Sequence, residues 1–257
     1  MKIKGKVAVV TGGGRGVGRA TSLALAEQGC SVLVHYRSSR EGADAVVEKA
    51  KSLGVKAVSF GGDVRDDSVC RAMMQKAHNE FGRLDLLVNS AGTTRFIPHE
   101  DMEAVKDEHW EEIFSTNVKA VFQCTRAAAP FIRESGGGEI VTISSIAGIL
   151  ATGSSIPYCA SKAAVINLTV STARTLAPEI RVNSVAPGFI AGEWLQEGLG
   201  DQFEQAKAER AAANALQSVC EPKDVAEAVL SIITGSDQVT GQTLVCDSGT
   251  VIGSKGF

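Results

Sequence analysis

Thr11-Gly12-Gly13-Gly14-Arg15-Gly16-Val17-Gly18 joins a short β-branched run to a long helical pattern. In such a turn the glycines let the backbone approach a pyrophosphate, and the helix N-terminus supplies free N–H groups and the positive end of its dipole. Because the loop lies in the first strand–helix unit of the chain, it predicts a dinucleotide-binding site rather than a tight turn without a ligand. The residues expected to line this site are Gly12, Gly14, Arg15, Gly16, Val17 and Gly18.

Strand-like and helix-like segments alternate along the rest of the chain, without a Pro/Ser-rich linker or an internal repeat. The strand-like runs are almost continuously apolar, which is typical of parallel strands covered on both faces. We therefore predict one domain over residues 1–257, a Rossmann fold of the α/β class whose doubly wound, seven-stranded parallel sheet has helices on both faces. The predicted strands are Val7–Thr11, Ser31–His35, Ala57–Phe60, Leu84–Asn89, Ile140–Ser144, Arg181–Ala186 and Thr243–Cys246. The predicted helices are Gly16–Gln28, Arg40–Ser52, Asp66–Phe81, Asp107–Arg133, Tyr158–Ala177 and Pro222–Thr234.

The segment 189–217 fits no strand and is the longest excursion between strands. Its pattern predicts one or two short helices. Long excursions in compact domains often cap a site. A substrate lid is therefore expected around 189–217.

Composition excludes several classes of function. Lys and Arg total 26 against 29 Asp and Glu, so the chain has no basic surplus with which to bind nucleic acid or an anionic membrane. The N-terminus has no secretion-signal pattern, and no apolar run is long enough to span a bilayer, so a cytoplasmic protein is expected. The six cysteines show no metal-ligand or redox spacing and are interpreted as reduced core residues, with no metal site.

The end of the second predicted strand bears on the choice of cofactor. Proteins that select the unphosphorylated dinucleotide usually have Asp or Glu here for the ribose hydroxyls, whereas this chain reads His35-Tyr36-Arg37-Ser38. Arg37 and Arg15 offer guanidinium groups suited to a 2′-phosphate. The sequence therefore favours NADP(H) over NAD(H), with Tyr36, Arg37 and Ser38 as cofactor contacts and His35 as a core residue.

Tyr158 and Lys162 are four residues apart on a predicted helix and so share one face. A phenol with a pKa of about 10 is a poor base at neutral pH, and a neighbouring cation favours its anion. Lys162 is placed to supply that cation, so that Tyr158 exchanges a proton with a substrate oxygen. Ser145 follows the fifth predicted strand, thirteen residues before Tyr158. Its hydroxyl is expected to hydrogen-bond the same oxygen.

The order and spacing of the motifs resemble the classical short-chain dehydrogenase/reductase family over essentially the whole chain. The resemblance implies an oxidoreductase that moves a hydride between a nicotinamide and a CH–OH or C=O group. The motifs that carry it are the glycine loop, Asp63-Val64, Asn89-Ser90-Ala91-Gly92, Asn117, Ser145, Tyr158-x-x-x-Lys162, Pro187-Gly188 and Asp247-Ser248-Gly249.

Further roles are implied by the resemblance alone. It adds Asn117 to Ser145, Tyr158 and Lys162 as the catalytic set, with Asn117 holding the lysine in a proton relay. Gly192 stands where the family usually has Thr, which puts the ordering of the lid in question. The implied cofactor contacts are Asp63 with Val64 at the adenine, Asn89 with Ala91 and Gly92 at the ribose, Pro187, Gly188 and the Ile190 backbone at the nicotinamide, and Tyr158 with Lys162.

Three functions remain open. The pattern resembles 3-oxoacyl-(acyl-carrier-protein) reductases and glucose dehydrogenases, but Glu134–Glu139 and Ala177–Glu179 are acidic where carrier-protein reductases offer basic residues. A free small ketone or secondary alcohol is therefore expected ahead of a carrier protein, and an idle dinucleotide-binding sensor or scaffold is the third alternative. The resemblance also implies a homotetramer built on the helices Asp107–Arg133 and Tyr158–Ala177. The residues expected to line the substrate cleft are Phe96, Ile97, Ile146, Ile149, Leu150, Phe189 and Trp194, with Arg95 more typical of a solvated surface charge.

Overall fold

Seven parallel strands form one sheet in the order β3-β2-β1-β4-β5-β6-β7. The computed structural model describes residues 1–253, so the end of the predicted domain at residue 257 lies outside the described residues. The predicted α/β class and seven-stranded parallel sheet are confirmed. The strands are β1 Val7–Thr11, β2 Ser31–Tyr36, β3 Ala57–Gly61, β4 Leu86–Asn89, β5 Gly138–Ile143, β6 Ile180–Pro187 and β7 Thr243–Cys246.

Helices cover both faces of this sheet. They are α1 Gly16–Glu27, α2 Arg40–Ser52, α3 Asp67–Phe81, α4 Asp107–Phe114, α5 Ala120–Glu134, α6 Ala147–Leu150, α7 Ile156–Leu176, α8 Glu193–Leu199, α9 Phe203–Ala213 and α10 Pro222–Thr234. The excursion 189–217 contains α8 and α9, which agrees with the prediction of one or two short helices. No helix among residues 1–253 combines the length and apolarity needed to cross a membrane.

Alternate residues of each strand enter different cores. Val10 and Val34 pack into the core shared with α1, α2 and α10, whereas Val9 and Leu33 pack into the core shared with α3 and α5. All four side chains are fully buried. Both faces of the sheet are therefore apolar, which is why the strand sequences read as continuous hydrophobic runs.

Two predicted elements were wrong in detail. The predicted helix Asp107–Arg133 is interrupted by a π-helical turn over Ser115–Lys119 between α4 and α5. The predicted strand Leu84–Asn89 begins only at Leu86, because the Leu84 N–H donates to the Ser135 hydroxyl at 3.0 Å instead of to a neighbouring strand. The short helix α6 was not predicted.

The sheet has its topological switch point between β1 and β4, where the chain order reverses. Thr11 and Asn89 are paired at the carboxyl ends of these two strands. In open α/β sheets, ligands bind in the crevice beyond such a reversal. The carboxyl edge at Thr11 and Asn89 is therefore where a site is expected.

Candidate active site

The glycine loop packs directly on the backbone around it. Gly12 has a φ of +64°, and a Cβ added there would lie 3.0 Å from Ala91 Cα. A Cβ on Gly18 would overlap the Gly12 carbonyl oxygen. The Thr11 hydroxyl accepts hydrogen bonds from the N–H groups of Ser90, at 3.0 Å, and Ala91, at 3.1 Å. The loop thus needs glycine to reach this crevice, and its backbone stays open toward a ligand.

The buried His35 side chain is hydrogen-bonded to the glycine loop. Its Nδ1 accepts from the Gly12 N–H at 3.2 Å, which leaves Nε2 to donate to the Gly62 carbonyl at 3.1 Å. Burial lowers the pKa of His35 to about 4, so the ring is neutral near pH 7. The sequence predicted only a core residue; the available signal was a polar ring at the end of an apolar strand that faces the loop.

We expect His35 to make the protein unstable in acid. Its pKa is lower in the folded chain, about 4, than its ordinary value of 6.5, so protons favour the unfolded state as the pH falls below 6.5. Between pH 7 and pH 4.5 this single residue should remove about 2 kcal/mol from the free energy of unfolding. Urea unfolding of wild type and His35→Gln at both pH values measures the difference. Equal loss of stability in the two proteins would contradict the assignment.

Arg37 lies in the turn between β2 and α2, and Arg15 is the N-cap residue of α1. A Cβ on Gly14 would lie 2.6 Å from Ser39 Oγ, so the glycine loop touches this turn directly. Arg37 is exposed and has no hydrogen bond or ion pair within residues 1–253. Arg15 instead donates to Glu197 of α8 at 2.8 Å, a partner that sequence reasoning missed.

Asp63, expected at the adenine, has a protein partner. Arg65 Nε donates to Asp63 Oδ2 at 2.9 Å, and Nη2 donates to the same oxygen at 2.5 Å. The hydrogen bonds from Arg65 hold the pKa of the Asp63 carboxyl below its ordinary value, and the charge of Arg37 adds to the effect. Val64, the next residue, is buried. The carboxylate therefore stays ionised beside the exposed end of β2.

The Asn89 side chain points into the interior of the protein. Its Nδ2 donates to the hydroxyls of Thr125 and Thr142 at 3.4 Å each, and its buried Oδ1 has no partner among the described residues. The amide thus anchors the end of β4 between α5 and β5. The crevice is bordered here by the backbone of the following Ala91 and Gly92, not by the Asn89 side chain.

Helix α7 brings the phenol and the amine to the crevice. Its N-cap hydroxyl, on Ser155, accepts from the Tyr158 N–H at 3.4 Å, so Tyr158 lies in the first turn and Lys162 one turn later. Both side chains are buried. Ser145 lies close enough to the Tyr158 phenol to lower its pKa. Ser144, in contrast, donates to the Val185 carbonyl at 2.9 Å inside the core, so the second of the two serines is the one beside the phenol.

Burial sets the titration of this pair. It raises the pKa of Tyr158 to about 12, against the smaller lowering effect of Ser145, and it lowers the pKa of Lys162 to about 8. Lys162 Nζ lies 5.7 Å from the centre of the Tyr158 ring and donates to the Ile143 carbonyl at 2.8 Å. The expected lowering of the phenol pKa by the ammonium is not seen: burial sets the direction of the shift, and the amine donates instead to the carbonyl at the end of β5.

Asn117 lies at the centre of the π-helical turn. Its Oδ1 accepts from the Thr93 N–H at 2.8 Å, and its Nδ2 donates to the Thr93 carbonyl and to the Ser161 hydroxyl, both at 3.0 Å. A Cβ on Gly92 would lie 3.5 Å from this Oδ1 and 3.9 Å from Lys162 Nζ. Asn117 therefore fixes the segment after β4 beside the lysine. Single π turns occur often at functional sites.

The chain after β6 closes the other side of the crevice. The Gly188 N–H donates to the Cys246 carbonyl at 3.0 Å, and a Cβ on Gly188 would lie 2.9 Å from Asp247 Cα. Ile190 forms a parallel bridge with Cys220. In a parallel bridge the bonds come from the flanking residues, here Phe189 and Ala191, so the Ile190 N–H has no partner among the described residues.

Apolar side chains form the mouth of the crevice. The Trp194 ring lies edge-on to Tyr158, with centroids 6.0 Å apart. Phe96 abuts Gly198 of α8, where an added Cβ would overlap its ring. Arg95 is paired with Glu112 at 2.6 Å. Ile149 and Leu150 of α6 are exposed apolar side chains as well.

Comparison with known proteins gives a consistent result. The family model described as short chain dehydrogenase matches residues 6–202. The chain is 39% identical over 244 residues to a protein of Streptomyces violaceoruber described as ketoacyl reductase 2 of the granaticin polyketide synthase, with 95% of each chain covered. It is 37% identical to a 3-oxoacyl-(acyl-carrier-protein) reductase of Staphylococcus aureus, over 95% of this chain and 97% of that protein.

The solved structures agree. A chain from Burkholderia xenovorans, assigned to the short-chain dehydrogenases/reductases, matches with a TM-score of 0.89 and 35% sequence identity, over 96% of this chain and 98% of that one. Because model, relatives and solved structure all match over most of the chain, the protein belongs to the short-chain dehydrogenase family and is an oxidoreductase that acts on CH–OH or C=O groups with a nicotinamide cofactor.

Proposed function

We propose that the enzyme is an NADP(H)-dependent oxidoreductase of small ketones and secondary alcohols, with Tyr158 as general acid and base. The observation that carries this proposal is the burial of the Tyr158 phenol and the Lys162 amine side by side, with Nζ 5.7 Å from the ring centre and Ser145 next to the phenol. An idle sensor or scaffold has no need of this buried set. Residues 189–217 form the substrate lid, and the folded unit is one dinucleotide-binding domain.

Each member of the catalytic set has a distinct role in the reduction. The bound nicotinamide supplies the hydride that reaches the carbonyl carbon. Tyr158, whose raised pKa keeps the phenol protonated at neutral pH, donates its proton to the carbonyl oxygen. Ser145 donates a hydrogen bond to the same oxygen as negative charge develops. Lys162 returns a proton to Tyr158, and Asn117 positions the backbone beside that lysine.

The described residues fit a phosphorylated dinucleotide. The open loop backbone suits the pyrophosphate, the unpartnered Ile190 N–H suits the carboxamide, and the unpartnered Arg37 guanidinium suits the 2′-phosphate. Asp63, with Arg65, lies at the adenine end. The proposed contacts are Gly12, Gly14, Arg15, Gly16, Val17, Gly18, Tyr36, Arg37, Ser38, Asp63, Val64, Asn89, Ala91, Gly92, Tyr158, Lys162, Pro187, Gly188 and Ile190.

A carrier-protein-bound 3-oxoacyl substrate is the second candidate, and the names of the two curated relatives favour it. The charge state of Arg95 near the mouth argues for a free substrate, because Glu112 pairs with it at 2.6 Å. Arg133 is paired with Glu179 at 4.0 Å, but both lie where β5 and β6 begin, at the edge of the sheet away from the crevice. Arg95 therefore offers little to an acidic carrier protein.

The test offers one 3-oxoacyl chain in two forms, as a free thioester and on acyl carrier protein. We expect kcat/KM for the two to agree within about threefold, with little dependence on salt, because Arg95 at the mouth is already paired with Glu112 and does not steer the carrier. A preference of tenfold or more for the carrier form, lost at 0.5 M NaCl, would replace this proposal with the second candidate. Turnover of neither form, nor of simple ketones, would refute both.

A homotetramer is the proposed assembly. Trp110 and Phe122, on α4 and α5, and Val170, on α7, are large apolar side chains exposed on the predicted contact helices. Leu244 and Val245 are exposed on β7, at the edge of the sheet. Two separate apolar faces suit two different twofold contacts.

A further inference from the structure

Helix α8 of the lid is tied to the glycine loop by charge. Arg15 Nη2 lies 2.8 Å from Glu197 Oε2, and Arg19 Nη1 lies 3.0 Å from Glu193 Oε1. Arg15 Nε also lies 3.9 Å from Glu193 Oε2. Glu193 and Glu197 are one helical turn apart and so share a face. Two glutamates of the lid are thus paired with Arg15 in the glycine loop and Arg19 in the first turn of α1.

The two arginines are anchored differently. Arg19 Nε and Nη2 both donate to the Gly14 carbonyl at 3.2 Å, so its guanidinium is fixed against the loop. Arg15 is the N-cap residue of α1 and has no partner among the described residues except the lid glutamates. Glu197 therefore holds an arginine that is otherwise free to meet an anion.

Little else holds α8. None of its side chains is buried, and its N-cap residue, Gly192, offers no side-chain bond. Apolar contacts of α8 include those of Trp194 with Tyr158 and of Gly198 with Phe96, and Leu195 and Leu199 are half-buried. The ion pairs between α8 and the glycine loop, which we call the lid latch, are therefore a substantial part of what positions the lid.

We propose that Glu197 is a specificity-determining residue that competes with the 2′-phosphate of the cofactor for Arg15. The inference rests on the proposed function, in which Arg15 and Arg37 receive that phosphate. A phosphomonoester carries about two negative charges near pH 7 and a carboxylate one, so the phosphate displaces Glu197 at a cost in affinity. NAD(H), without this phosphate, leaves the latch closed. Glu197 thereby reduces the ratio by which NADP(H) is bound more tightly than NAD(H). The ion pair of Glu193 with Arg19 meanwhile holds the lid in place.

Trp194 gives a readout that needs no turnover. The chain has two tryptophans, so a Trp110→Phe background leaves Trp194, in the lid, as the only one. In this background, dissociation constants of NADPH and NADH are measured by quenching of Trp194 emission. Acrylamide quenching without cofactor reports how open the lid is. The variant is Glu197→Gln, and the matched control is Glu204→Gln, an exposed lid residue with no ion pair among residues 1–253.

Glu197→Gln should bind NADPH about threefold more tightly relative to NADH, a size typical of an exposed ion pair. Acrylamide quenching of Trp194 should rise in this variant, and 0.5 M NaCl should raise it in the parent protein by at least as much, because salt screens every ion pair of the latch. Glu204→Gln should change neither quantity.

Two outcomes overturn the inference, and they are separable from failure of the proposed function. Binding of both cofactors with an unchanged ratio in Glu197→Gln, or a ratio shifted toward NADH, would show that Glu197 does not compete with the phosphate. Binding of neither cofactor by the parent protein would instead refute the proposed function on which the inference rests.

Discussion

Tyr158→Phe should lower kcat for ketone reduction about a thousandfold, the size expected when a general acid is removed. The substitution deletes one oxygen and keeps the ring, which packs edge-on to Trp194 in a buried position. Ser145 is the side chain that lowers the pKa of the phenol, so among the described residues the substitution disturbs little beyond this contact. The dissociation constant of NADPH should stay within about twofold of wild type, because the dinucleotide contacts in the glycine loop are untouched.

Steady-state kinetics with a reporter ketone and fluorescence titration of NADPH separate these two effects. Thermal unfolding serves as the control, since a variant with an unchanged Tm has kept its fold. A kcat within threefold of wild type would remove Tyr158 from the role of proton donor. Loss of NADPH binding together with activity would show that the variant disturbs the cofactor site instead.

Arg37→Asp should reverse the cofactor preference. The substitution removes an unpartnered cation at the end of β2 and adds a carboxylate that can accept hydrogen bonds from the ribose hydroxyls. A charge-assisted hydrogen bond contributes about 1.5–3 kcal/mol, so the ratio of kcat/KM for NADPH to that for NADH should fall about ten- to hundredfold. Stability should change little because the side chain is exposed.

The matched control is Lys56→Asp, which makes the same charge change at an exposed lysine. Lys56 precedes the amino end of β3, whereas Arg37 follows the carboxyl end of β2. It should leave the ratio as in wild type. If Arg37→Asp also left the ratio unchanged, Arg37 would not contact the 2′-phosphate, and the preference for NADP(H) would lose its main support.

Most of the helices and strands could be predicted from local patterns in the sequence. The helices Arg40–Ser52 and Pro222–Thr234 have the predicted bounds. Their apolar residues recur with helical spacing, and the residues at their two ends are typical helix start and stop signals. The π-helical turn at Ser115–Lys119 was not predictable in this way. Apolar periodicity continues on both sides of it, and the bonds from Asn117 to Thr93 and Ser161 involve residues 24 and 44 positions away.

In the candidate site, too, the residues with a local sequence signal could be predicted, and their distant partners could not. Tyr158 and Lys162 were found because one helical turn separates them, and Ser145 because it follows a strand. The partners that fix the finer electrostatics lie far along the chain. Arg15 meets Glu197 across 182 residues, and Lys162 Nζ is bound by the carbonyl of Ile143, which carries no side-chain signal. Burial of the phenol, which raises its pKa, likewise arises only when the lid and α7 are assembled.

The most direct measurement follows a label from the cofactor into the product. A ketone is reduced with NADPH that carries deuterium at the transferable position of the nicotinamide, and the alcohol is analysed by mass spectrometry. We predict one deuterium on the carbinol carbon of the wild-type product, formed about a thousandfold more slowly by Tyr158→Phe. An alcohol without deuterium, or labelled product formed equally fast by both proteins, would contradict hydride transfer to a carbonyl protonated by Tyr158.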